Sequence, residues 1–117
     1  MSRNRKIGIY GEELAEKHLL EDGYRILERN WRSRHKEIDI IAMKDNIICF
    51  IEVKTRSSTR HGMPEEAVSE SKANSVTSAA QDYLDGKNIR DIRFDIISVI
   101  LFYGQEPEIL HIRDAFY

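Results

Sequence analysis

Glu37-Ile38-Asp39-Ile40-Ile41-Ala42-Met43 and Ile47-Ile48-Cys49-Phe50-Ile51-Glu52-Val53-Lys54 are two mainly apolar runs separated by Lys44-Asp45-Asn46. Both are rich in β-branched residues, and Asp-Asn between them suits a tight turn with left-handed backbone angles. They read as an antiparallel hairpin. A two-residue loop at Asp45-Asn46 pairs Lys44 with Ile47. The same register sets Asp39 opposite Glu52 and Glu37 opposite Lys54. Opposed residues point to one face, so these four side chains are expected together, on the face of Ile41 and Phe50.

Opposed carboxylates on neighbouring strands lie about 5 Å apart and repel. A hairpin selected only for stability would rarely set Asp against Glu within so apolar a stretch. Two carboxylates at that spacing suit a divalent cation that takes oxygen ligands, Mg²⁺ or Mn²⁺. Lys54 follows Glu52 by two positions, on the same face, where an ammonium would neutralise an oxygen that gains charge during a reaction. The plainer account is an ordinary Glu37–Lys54 ion pair with two acids near an exposed strand end. An E-x-K tripeptide is common by chance.

Before the hairpin, residues 5–22 have helical spacing, with Ile7, Gly11, Leu14, Ala15, His18 and Leu19 on one side and Gly23 as the stop. Glu12 sits at the margin of that stripe. It would join the acids as a third ligand, or as a support for them, if this helix packs on their face. Residues 24–31 alternate as a strand. Ile47 to Ile51, apolar on both faces, is expected to be a central strand covered above and below.

After the hairpin, a polar loop leads to a second helix. Pro64 permits a first turn, Ser69 caps the main body, Ala73, Val76, Ala80, Tyr83 and Leu84 face inward, and Gly86 closes it. Residues 92–101 form a third apolar strand, placed by a helical crossover parallel to the one before it. Residues 108–113 form a last strand. The order is αβββαββ: an α/β (α+β) fold with a mixed central sheet flanked by helices.

At 117 residues, with 41% hydrophobic residues and no repeat or linker, the chain is expected to form a single domain, 1–117. Its longest apolar run is far short of the roughly 20 residues a membrane helix needs, which excludes a membrane protein of that kind. The basic start, Met1 to Lys6, is followed by Glu12, Glu13 and Glu16 where a signal peptide would be apolar. The single cysteine, Cys49, makes no internal disulfide. A soluble cytoplasmic protein is expected. The formal net charge of −2 argues against a purely charge-driven nucleic-acid binder. The basic residues nevertheless cluster, in Arg29, Arg32, Arg34 and Lys36 and again in Lys54, Arg56 and Arg60. They read either as solvated loops or as two phosphate-contacting edges.

An ordered series of short motifs gives a more specific signal. Gly11-Glu12-Glu13-Leu14-Ala15, Gly23-Tyr24, Asn30-Trp31-Arg32, Glu37-Ile38-Asp39, Phe50-Ile51-Glu52-Val53-Lys54-Thr55-Arg56, Ala67-Val68 with Lys72, Arg93-Phe94-Asp95 and Asp114-Ala115-Phe116 resemble the bacterial YraN-like family. The match runs from about Gly8 to Phe116. The resemblance implies a restriction-endonuclease-like core of the PD-(D/E)XK nuclease superfamily, similar in layout to archaeal Holliday-junction resolvases. It implies Asp39 as the motif aspartate, Glu52 and Lys54 as the E-x-K, and Glu12 as the helix glutamate. Ile38 replaces the superfamily's proline and Lys36 replaces the family's usual glycine, and neither change removes a ligand.

These readings lead to an expected metal-dependent hydrolysis of phosphodiester bonds in DNA, with branched or damaged DNA the suspected form. Asp39, Glu52 and the Val53 carbonyl would hold Mg²⁺ or Mn²⁺, and Lys54 would act on the reacting water or the phosphoryl group. Arg32, Arg34, Lys36, Arg56, Arg60 and Lys72 would contact phosphates, which gives affinity without sequence preference. His35 and His61 lie on polar loops and are weak candidates. Trp31 reads as packing or as a base-stacking platform. A symmetric homodimer is the expected state if two strands are to be cut. The alternative is a non-catalytic module on the same fold that binds nucleic acid or another protein.

Overall fold

The computed structural model describes residues 3–57, 69–89 and 91–116. Arg60, His61, Pro64, Ala67 and Val68 lie outside the described residues. The elements follow the expected order: α1 (Arg3–Glu21), β1 (Arg25–Ser33), β2 (Lys36–Lys44), β3 (Ile47–Arg56), α2 (Glu70–Leu84), β4 (Ile92–Ile100) and β5 (Glu108–Ile112). The five strands form one sheet in the order β1-β2-β3-β4-β5. Among the described strands β3 and β4 alone are parallel neighbours, and α2 lies between them in the chain. This mixed sheet with two helices is compatible with an α+β nuclease-like core.

Each helix covers one face. Ala15 and Leu19 of α1 pack with Ile40, Ala42, Cys49, Ile51, Ile97 and Val99. Val76, Ala79, Ala80 and Tyr83 of α2 pack with Ile38, Ile41, Ile48, Phe50 and Phe94. β3 contributes to both clusters, which is why its apolar run shows no alternation. The approach of α1 is close because Gly11 has no side chain. A Cβ there would stand 1.9 Å from Thr55 Oγ1. Gly23, at φ 87°, ends the helix in a backbone state that other residues avoid. Ser69 caps α2 as expected, its side chain accepting the Lys72 N–H at 3.1 Å.

The hairpin forms in the predicted register. Lys44 pairs with Ile47, Met43 with Ile48 and so on to Ile40 with Ile51. Asp45 and Asn46 take φ values of 53° and 64°, the left-handed pair that a two-residue turn requires. The ladder then stops one step short of Asp39 and Glu52. Beyond that point β2 remains tied to β1 as far as Lys36, and β3 to β4 as far as Arg56. The middle of the sheet is therefore a fork.

A kink accompanies the fork and corrects the expectation that Glu37 shares the face of Ile41 and Phe50. Asn30 of β1, at φ 51°, interrupts its strand opposite Asp39. On one side of it Arg29 pairs with Ile40, and on the other Trp31 pairs with Ile38. Arg29 reaches Glu16 of α1, whereas Trp31 packs edge-on against Tyr83 of α2 with ring centroids 5.3 Å apart. Ile40 likewise belongs to the α1 side and Ile38 to the α2 side. Residues two apart thus face opposite ways. The left-handed turn at Asn30 flips both strands, so Ile38, not Glu37, shares the face of Ile41 and Phe50.

Candidate metal centre at the fork of the sheet

Asp39 and Glu52 meet where the ladder ends, and their side chains take over its bonds. Asp39 Oδ2 accepts the Val53 N–H at 2.8 Å, and Glu52 Oε2 accepts the Asp39 N–H at 3.4 Å. Each carboxylate thereby binds the backbone of the other's strand. Glu52 is only 4% exposed. Burial, then the charge of Asp39, pushes its carboxyl up to about 7. Burial also raises Asp39, against the opposing pull of the Val53 N–H and Lys72. Burial, the largest cause for each, disfavours the charged form, so both acids keep their protons more readily than they would in water.

A divalent cation would offset the paired charges of the two acids. The donors are carboxylate oxygens, which suit Mg²⁺ or Mn²⁺, and the pair carries the two charges such an ion neutralises. The residues present therefore fit the implied metal, through Asp39 and Glu52. Among the described residues no three His, Cys, Asp or Glu side chains gather around one point. Two carboxylates alone are consistent with Mg²⁺, which commonly takes one or two and keeps several waters. Val53 enters the site through its N–H.

Among the described residues Glu12 does not form a three-acid group with Asp39 and Glu52. The expected condition was that α1 packs on the carboxylate face, and α1 instead covers the Ile51, Val53 and Thr55 side of β3. Glu12 still lies within electrostatic range of Asp39. Burial first, then Asp39, raises its carboxyl, while Arg29 and a hydrogen bond from the Asn30 side chain lower it. Arg29 stands 3.7 Å from Glu12 and also bonds Glu16. Glu12 thus approaches the fork from the opposite face, steadied by Asn30. Sequence reading missed Asn30 in this role. The signal available was an Asn at strand centre, a residue type that tolerates left-handed angles.

The basic candidates divide. Lys72, in the first turn of α2, reaches the site and bonds Glu52 Oε1 at 3.1 Å. Lys54 sits two residues beyond Glu52, opposite Ser98 of β4. Arg56 lines a cavity of about 290 Å³ on the α1 side of the fork, with Glu12, Gly8, Val53 and Thr55. The other group is turned elsewhere. Lys36 bonds Ser78 and lies 3.7 Å from Asp82, both on α2. Arg32 pairs with Glu37 at 3.0 Å, and Arg34 and His35 are exposed in the β1–β2 turn. Trp31 is half-buried and packs edge-on against Tyr83. Burial pushes the Cys49 thiol up to about 11, which keeps it neutral.

A second buried acid escaped the residue-by-residue reading. Asp95 of β4 is fully buried and takes bonds from Arg93 Nε at 2.9 Å, His111 Nε2 at 2.7 Å and the Asp114 N–H at 3.0 Å. The same Arg93 donates to the Tyr24 hydroxyl at 2.7 Å. Nearby, the Ala115 N–H donates to the Phe94 carbonyl and the Phe94 and Phe116 rings lie 5.4 Å apart. The Arg93-Phe94-Asp95 and Asp114-Ala115-Phe116 motifs therefore grip one another.

Comparison with known proteins agrees with the motif series. The family model described as "Uncharacterised protein family UPF0102" matches residues 11–99. A UPF0102 protein from Rhodococcus jostii is 41% identical over 118 residues, covering 99% of this chain and 100% of its own. One from Syntrophomonas wolfei is 45% identical, covering 97% and 99%. One from Clostridium perfringens strain SM101 is 46% identical, covering 97% and 95%. With a family match over most of its length and relatives aligned end to end, the chain belongs to the UPF0102 family, the YraN-like family its motifs resemble.

Proposed function

We propose that this protein is a divalent-metal-dependent hydrolase of nucleic-acid phosphodiesters, with DNA as the substrate. The observation that carries the reading is the Asp39–Glu52 pair at the sheet fork, a half-buried and a buried acid whose charges call for a cation. Asp39 and Glu52 would hold Mg²⁺ or Mn²⁺, which when bound supplies Lewis acidity at the phosphoryl group and an activated water. In the reaction a water oxygen bonds to phosphorus as the bond to the departing sugar oxygen breaks. One proton leaves the water and one reaches the departing oxygen. Lys54, beside Glu52 on β3, steadies the negative phosphoryl oxygens. Glu12 holds the opposite side of the fork, and Arg56 meets a flanking phosphate. Cutting two strands brings two copies together about a two-fold axis.

The test is incubation with linear, single-stranded, flapped and four-way DNA, with Mn²⁺ and with chelator. Cleavage should need the metal and fall at least a hundredfold in Glu52→Gln and in Lys54→Ala. Cleavage unchanged by both substitutions would place the activity elsewhere. DNA binding with no metal-dependent cleavage in any substrate would favour the non-catalytic module.

A further inference from the structure

We propose that Lys72 is the built-in counter-ion of the acidic pair, and that its ammonium and a divalent cation compete for Glu52. This inference rests on the metal-site reading above and adds how that site is held when no metal is bound.

The geometry is asymmetric. The Glu52 side chain is 5% exposed, whereas the Lys72 side chain that reaches it is 48% exposed. A buried acid is thus met by a cation arriving from the solvent side, on a long flexible stem. Glu52 Oε2 is engaged by the Asp39 N–H and Oε1 by Lys72 Nζ. A cation shared between Asp39 and Glu52 therefore has to take lone pairs beside Lys72, and two positive centres so close repel.

The helix supplies a second argument. Lys72 follows the Ser69 cap by three residues, and its N–H is one of those the cap satisfies. A lysine in a first turn is opposed by the helix dipole, and Glu70 is the kind of residue this position favours. The local choice is poor for α2 and good for Glu52. Locally unfavourable choices of that kind concentrate where a site needs them.

Charge balance sets the direction of exchange. One lysine neutralises one of two carboxylates, and a divalent ion neutralises both. Lys72 thereby holds the two acids together in the metal-free protein at some cost to metal affinity, and leaves Glu52 when the ion enters.

The experiment is Mn²⁺ titration of the full chain by calorimetry, with thermal melts in chelator, on wild type, Lys72→Met, Lys72→Gln, Lys72→Arg and the distant Lys87→Met. Both neutral variants should melt lower without metal and bind Mn²⁺ roughly three- to tenfold more tightly. Lys72→Arg and Lys87→Met should stay within about twofold of wild type. Equal or weaker Mn²⁺ binding in both neutral variants would overturn the exchange while leaving the metal site standing. Absence of binding in wild type and the Lys72 variants alike, or wild-type binding in Asp39→Ala, would remove the site itself and the exchange with it.

Discussion

The sheet buries acids in two places and treats them oppositely. Asp95 is surrounded by donors: Arg93, His111 and the Asp114 N–H. Burial alone would raise its carboxyl, but these bonds, His111 and Arg93 foremost, hold it below the usual range. Asp39 and Glu52 face each other with two backbone N–H groups and Lys72, and both are raised. A buried carboxylate with a full set of donors is finished as structure. One that burial and a neighbouring acid hold at a raised pKa is the arrangement that concentrates at functional sites.

The largest test of that contrast is Asp95→Ala. It strands Arg93 beside a cavity and releases the C-terminal motif, so unfolding in urea should show a loss of about 3–5 kcal/mol. A loss under about 1 kcal/mol would erase the distinction from the Asp95 side. Glu52→Gln should act in the other direction. With chelator at pH 8 it should stabilise the fold by roughly 1–3 kcal/mol, because it removes a charge that is costly to keep, and it should abolish the Mn²⁺-induced rise in melting temperature. Destabilisation as large as that of Asp95→Ala would make the two acids equivalent.

pH separates the regions by sign. Glu52 is raised from 4.5 to about 7, so its folded form holds a proton the unfolded form gives up. The stability this adds is full below about 4.5 and is lost as pH rises through about 7. Asp95 is lowered from 3.8, so its contribution is present above that value and lost as pH falls below it. Chelator-treated wild type should therefore lose stability on both limbs, and Glu52→Gln should flatten only the alkaline one. Denaturation midpoints from pH 3 to pH 9 measure both limbs, and an unflattened alkaline limb would contradict the assignment. The smallest effect is expected at Asn30. Asn30→Gly keeps the left-handed turn and should change stability by less than about 0.5 kcal/mol, whereas Asn30→Ala should cost about 1 kcal/mol. Both lose the bond to Glu12, so a Mn²⁺ response that matches wild type in both would show Asn30 to serve the turn alone.

What the amino-acid order revealed follows the range of the interactions involved. The hairpin register was readable because Asp45-Asn46 fixes it within a few residues, and the α2 boundary because Ser69 caps its own helix. The juxtaposition of Asp39 with Glu52 follows from that register. The fork was not readable, since it depends on Asn30 in a different strand adopting φ 51°. The partners of Asp95 were hidden for a like reason: Tyr24, His111 and Asp114 reach it only after β5 and the tail have docked on β4. Lys72 is expected only among the phosphate contacts, and its grip on Glu52 needed the crossover to bring α2 back across the sheet.

The fork has a mechanical consequence. Past Ile40 and Ile51 β2 stays laddered to β1 from Ile38 to Lys36 and β3 to β4 from Glu52 to Arg56, while β2 and β3 are linked at the fork by the side chains of Asp39 and Glu52. Those two acids act as a rivet between stiff plates. A change in the width of the fork would act on that rivet before it unzipped either plate.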